Sequence, residues 1–178
     1  GQLGQLYAPI KDVPVNVPQS VVEGSIQSAL KRHGIEIQPE AISSVGKIDT
    51  VASDIGKQGA RVIESALDEV RNKLFKDGEL RQDLTGMDFH NVRKVLDKDY
   101  LDWDATTPAG SAENAIKSIR GAIDTIAKDY VPGLKELDAK FSEVSGKIDQ
   151  VAKEFFTKAK GGGYELKADI ISRIKNAD

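Results

Sequence analysis

Apolar residues recur along most of the chain at alternating spacings of three and four, the period of an α-helix with one buried face. The clearest run is Ala112, Ile116, Ile119, Ile123, Ile126 and Tyr130, followed after Val131-Pro132-Gly133 by Leu134, Leu137, Phe141, Val144, Ile148, Val151 and Phe155. Two such seams joined by so short a break predict neighbouring helices that run antiparallel, a coiled-coil-like hairpin. At 1.5 Å per residue the second arm, 134–155, is about 33 Å long. Thr106-Thr107-Pro108 supplies a cap and a helix-opening proline for the first arm.

The pattern is less regular upstream. Helix is predicted over 19–33, with Val22, Ile26, Ala29 and Leu30 on one face and Gly34 as the left-handed stop. Pro39 then opens a long helical pattern to residue 76, through Ala41, Val45, Ile48, Ala52, Ile55, Gly59, Val62 and Ala66, before the stripe shifts to Ile63, Leu67, Val70 and Leu74. Gly56 and Gly59 mark where this helix would split in two, each glycine costing about 1 kcal/mol against alanine. Lys76-Asp77-Gly78 ends it. Thr85-Gly86-Met87-Asp88 caps another helix carrying Phe89, Val92, Leu96 and Tyr100, and after Gly161-Gly162-Gly163 a last helix is predicted over 164–177. The first 18 residues differ: Pro9, Pro14 and Pro18 among Val13, Val15 and Val17 exclude helix and predict an extended arm. The arm either packs on its own domain or adds to a neighbouring subunit or to the rest of a longer chain. The fold class is therefore all-α, an elongated antiparallel helical bundle with an extended N-terminal arm. Its divisions are the arm, 1–18, and the bundle, 19–178, with sub-units 19–77 and 85–178. Gly46-Lys47-Ile48-Asp49 with Val51-Ala52 returns as Gly146-Lys147-Ile148-Asp149 with Val151-Ala152, the pattern of a worn duplication or of coincidence.

Composition narrows this picture. Aromatic residues make up 6% of the 178, hydrophobic residues 39% and charged residues 30%, which suits narrow helical layers with wide wet faces. A net charge of −3 with scattered basic residues disfavours a phosphate-backbone partner. The chain has no cysteine, so disulfides, thiolate metal sites and cysteine nucleophiles are excluded. No apolar run approaches the roughly 20 residues of a membrane-crossing helix, so membrane insertion is not expected. The start at Gly1 without methionine and the end at Asp178 inside a predicted helix read as a piece of a longer chain.

The sequence holds no constellation of reactive groups, so no catalytic, cofactor or metal residues are expected. His33 sits at a helix end and His90 in a first helical turn, with no second histidine at ligand spacing. No serine lies in a Gly-x-Ser-x-Gly turn, and the triple glycine lacks the lysine and hydroxyl of a P-loop and reads as a joint between helices. The acidic run Asp97-Lys98-Asp99-Tyr100-Leu101-Asp102-Trp103-Asp104 lacks the turn glycine and closing glutamate of a calcium loop. Its expected role is to anchor a connection through Tyr100, Leu101 and Trp103, with Trp103 as a core or interface plug. Candidate interaction residues are Trp103, Tyr100, Val13, Val15 and Val17.

Val92-Arg93-Lys94-Val95-Leu96-Asp97, the break Thr106-Thr107-Pro108, the hairpin Tyr130-Val131-Pro132-Gly133-Leu134 with Leu137-Asp138-Ala139-Lys140-Phe141, and Ala168-Asp169-Ile170-Ile171-Ser172-Arg173-Ile174 carry a resemblance. In these features 84–178 resembles helical regions of large structural proteins of tailed bacteriophages. The resemblance implies a virion- or tail-associated scaffold part and carries over no functional residue. Three functions are thus carried forward. The first is a structural or protein-interaction module meeting a copy of itself or flanking domains of a longer chain. The second is a helical bundle with a pocket near Gly56 and Gly59 for a lipid or small apolar ligand. The third is an accessory domain of a larger enzyme.

Overall fold

The computed structural model describes residues 5–46, 48, 55–158 and 164–166, and beyond Gly146 it describes the backbone alone. The described chain is mostly helical, as the apolar periodicity predicts. It holds a 3-10 turn at Ala8–Ile10 and the helices α1 (Gln19–Lys31), α2 (Glu40–Ser43), α3 (Gly56–Leu74), α4 (Gly86–Asp99), α5 (Ser111–Tyr130) and α6 (Leu134–Phe155). Short strands β1 (Phe75–Lys76) and β2 (Glu79–Leu80) lie between α3 and α4, and β3 (Phe156–Lys158) and β4 (Tyr164–Leu166) follow α6. The chain divides into two units, one of Ile10–Leu134 and one of Gly1–Pro9 with Lys135–Asp178.

In the first unit α5 packs against α1, α3 and α4, and α3 against α4. The seam isoleucines of α5, Ile116, Ile119, Ile123 and Ile126, are all buried. So are Val22, Ile26 and Leu30 of α1, Ile63, Leu67, Val70 and Leu74 of α3, and Phe89, Val92 and Leu96 of α4. The N-terminal arm joins this core through Ile10, Val15 and Val17, each at most 6% exposed. Its backbone is held on α4's lead-in: the Val15 N–H donates to Leu84 O at 2.9 Å and the Gly86 N–H to Val13 O at 2.9 Å. Gly86 must be glycine there, because a Cβ would lie 2.8 Å from the Ile10 carbonyl oxygen and from Val131 Cγ1. α4 opens as its sequence predicts, with the Thr85 N–H donating to the Asp88 carboxylate at 2.8 Å.

Four expectations change. The long helix predicted from Pro39 ends at Ser43, where the hydroxyls of Ser43 and Ser44 bond back to Glu40 O at 3.1 and 2.8 Å and Ser44 turns extended. Such side chains compete with the helical backbone. Val45, expected on the seam, is consequently 86% exposed. The loop at residues 76–78 is a hairpin, in which Phe75 pairs with Leu80 and Lys76 with Glu79. Asp77 and Gly78 both have positive φ, 53° and 81°, as a two-residue turn of right twist requires. α5 begins at Ser111 and not at Pro108, with Gly110 extended at the N-cap; a glycine inside the first turn would cost about 1 kcal/mol. Residues 164–166, predicted helical, form a strand antiparallel to β3, with Thr157 opposite Glu165. Aromatic and β-branched residues such as Phe156, Thr157 and Tyr164 favour that pairing. The triple glycine and the helix predicted beyond residue 166 lie outside the described residues.

The second unit contains most of α6. Its first turns are covered by the segment before Pro9: the Tyr7 hydroxyl donates to Asp138 at 2.7 Å, and its ring lies 5.9 Å from that of Phe141. Phe141 is still 37% exposed, and Leu137 and Val144 are half-buried. The seam residues Ile148, Val151 and Phe155 fall where only the backbone is described.

Candidate functional site

The last turn of α1 and one side of α5 bound an open cleft of about 570 Å³, lined by Arg32, His33, Ile55, Ser111, Asn114, Lys117 and Ser118. α1 stops because Gly34 takes φ 73°, and the N–H groups of His33, Gly34 and Ile35 return to Leu30 and Lys31 carbonyls. Arg32 and His33 are left at the helix end. On α5, residues 111, 114, 117 and 118 form a polar stripe beside the buried isoleucines. The two sides meet in a hydrogen bond of 2.7 Å between His33 Nε2 and Ser118 Oγ. Asn114 is turned by a bond from its amide to Ala109 O at 3.3 Å. Among the described lining residues Ile55 alone is apolar, and every charged group, Arg32 and Lys117, is a cation.

A serine hydroxyl against a histidine nitrogen has the spacing of a nucleophile and its base. The arrangement lacks the rest of that chemistry. Among the described residues no carboxylate orients the other ring nitrogen of His33, and Ser118 lies in the middle of a regular helix, away from any exposed pair of backbone N–H donors. The cleft can hold a polar ligand by hydrogen bonds and charge. Of the two glycines near which an apolar pocket is expected, Gly59 serves close approach, since a Cβ there would meet Ile55 Cγ2 at 2.2 Å and Ala112 Cβ at 3.3 Å, whereas a Cβ at Gly56 would meet nothing within 4 Å.

Beside the cleft lies the acidic run. Asp97 accepts two hydrogen bonds from Arg120, each 3.1 Å, and one of 2.9 Å from the Trp103 indole N–H. The Lys117 ammonium stands 5.0 Å from the Trp103 ring centroid and 3.9 Å from Glu113. Trp103 is 56% exposed, so it is no core plug: its N–H and the ammonium hold the ring on the polar surface. Leu101 is the buried anchor of this connection, and Tyr100 is half-buried, sharing a 2.6 Å hydrogen bond with Ser65. Among the described residues no three carboxylate or imidazole groups converge for a metal. Of the other candidate interaction residues, Val15 and Val17 are buried and Val13 is half-buried.

A further polar cluster escaped the sequence reading. Arg93 of α4 is only 3% exposed; it donates to Asp124 of α5 at 2.9 Å and meets His90 Nδ1 at 3.0 Å. Asp124 also faces Lys128 at 2.9 Å and Arg120 at 3.5 Å. Burial raises the Asp124 pKa, but hydrogen bonds from Lys128 and Arg93 outweigh it and hold the carboxyl below its ordinary value. The spacing Arg120, Asp124, Lys128 is a visible i, i+4 ladder; nothing local marks Arg93 as buried. No described helix is long and apolar enough to cross a membrane. Compared with known proteins, the chain matches no family model, no curated protein and no solved structure.

Proposed function

We propose that the chain is a non-catalytic structural or protein-interaction module, a helical spacer that meets its partner through a coiled-coil-like helix. The observation that carries this reading is α6. It runs for 22 residues with an apolar residue at every third or fourth position from Leu134 to Phe155, and Phe141 on that seam is exposed. A helix that keeps such a stripe gains by burying it against another helix. The seam holds no polar residue that would disfavour pairing with itself, so the partner we assign is a second copy of α6, packed as an antiparallel or parallel pair. The resemblance of 84–178 to helical regions of tailed-bacteriophage structural proteins extends the proposal to a virion- or tail-associated part.

Light scattering on the intact chain, with chemical cross-linking in parallel, tests this. Association at micromolar concentration is expected, abolished by Phe141→Glu with helicity retained. A monomer at every concentration, free of cross-linked dimer, would count against it.

A further inference from the structure

The cleft between α1 and α5 has a chemistry that a helical spacer does not need. Its charged groups come from separate elements: Arg32 from the end of α1 and Lys117 from the second turn of α5. Arg32 is exposed and has no ion pair among the described residues, and Lys117 lies over the Trp103 ring with a long 3.9 Å contact to Glu113. Arg32 and Lys117 both line this open space, and an anion in it is attracted by each. The remaining lining groups, the hydroxyls of Ser111 and Ser118 and the Asn114 amide, both donate and accept hydrogen bonds.

We propose that this cleft binds a small phosphorylated ligand, its phosphoryl group held between Arg32 and Lys117. A phosphoryl dianion matches two cations better than a carboxylate does, and guanidinium groups bind phosphate through paired hydrogen bonds. The volume of about 570 Å³ lies within the range of small-molecule pockets and exceeds the needs of a free phosphate ion. The described lining, polar except for Ile55, suits a ligand body rich in hydroxyls, such as a sugar, over an acyl chain. His33, joined to Ser118 at 2.7 Å, ties the end of α1 to α5 beside these groups.

Trp103, the only tryptophan, reports on Lys117 from 5.0 Å. The test titrates the intact chain with glucose 6-phosphate, inorganic phosphate and glucose, read by Trp103 fluorescence and by calorimetry. Saturable binding of the phosphorylated probes, with none of glucose, is expected. Arg32→Gln and Lys117→Gln should each weaken it about tenfold, the loss of one charge-assisted hydrogen bond, while Lys94→Gln, on the exposed side of α4, leaves it unchanged. Calorimetry reads Lys117→Gln independently of the indole, and an unchanged circular dichroism spectrum separates lost binding from lost fold. Tighter binding of glucose 6-phosphate than of phosphate assigns the ester, and the reverse assigns free phosphate; either outcome supports the phosphoryl site. Absence of saturation at millimolar concentration, equal binding of glucose, or equal weakening by Lys94→Gln overturns it.

Discussion

Arg93 and Asp124 form an ion pair that the fold encloses on one side only, with side-chain exposures of 4% and 19%. Removing one partner of a fully buried pair costs about 3–5 kcal/mol because the other is left uncompensated. The partial exposure of Asp124 and the remaining contact of Arg93 with His90 reduce this, so Asp124→Asn should cost about 2 kcal/mol at neutral pH, measured by urea unfolding. The sign of the pH dependence follows from the depressed Asp124 carboxyl. Its contribution is fully present above the unfolded carboxylate value, about 4, and is lost as pH falls below that and through the lower folded value. The variant should flatten the fall in urea midpoint below pH 4; an unchanged slope would show that Asp124 is not tied to Arg93 and Lys128. At Gly86 the obstacle is a backbone oxygen, which cannot swing aside as a side chain does. Gly86→Ala should therefore destabilise by about 1–3 kcal/mol in the same assay. No loss would mean that the arm does not lie where Ile10 and Val13 place it.

At the scale of elements, α5 is the helix on which the first unit is assembled, since it packs against α1, α3 and α4. Ile119, wholly buried at the centre of its seam, should cost about 2–5 kcal/mol when cut to alanine. Thermal melting checks this, and an unchanged midpoint would reject the packing. The face of α5 was legible in the sequence because its period is local. Its partners were not: the spacing of Ile116, Ile119, Ile123 and Ile126 states that something covers them, and is silent on which helix does. The break after Ser43 was equally hidden, because the apolar spacing runs on through Val45 while the serine hydroxyls end the helix. Arg71 then fastens that short α2 to α3, donating to Ala41 O at 2.9 Å and Ile42 O at 3.2 Å. The hairpin was within reach, since Asp77-Gly78 is the dipeptide that a tight turn of two positive φ angles prefers. Gln19 locks it to α1, accepting from Leu80 N at 2.9 Å.

For the molecule as a whole, Ile10–Leu134 contains its own core, helix caps and ion pairs. A chain cut to 10–134 should fold by itself, with a dispersed amide spectrum and a single cooperative unfolding transition. Loss of that transition would show that the unit depends on residues outside it. The hairpin matters here, because Arg81 ties it back to α3 through a bond from its N–H to Leu74 O at 2.9 Å and from its guanidinium to Lys73 O at 2.7 Å. Residues 78–84, between the expected sub-units 19–77 and 85–178, lie within this unit.

The sequence alone determined the helical class, the apolar faces of α1, α4 and α5, the Thr85 cap, and the exclusion of cysteine chemistry. These depend on residue identity and on neighbours within one or two turns, where propensity, capping and period act. Tertiary structure decided which faces meet, why Gly59 and Gly86 are glycines of close approach, that Trp103 lies on the surface, and that Arg93 is buried against Asp124. It also decided the cleft, in which His33 and Ser118, 85 positions apart, come within 2.7 Å. Burial and convergence are properties of elements brought together from distant parts of the chain, and no local pattern encodes them.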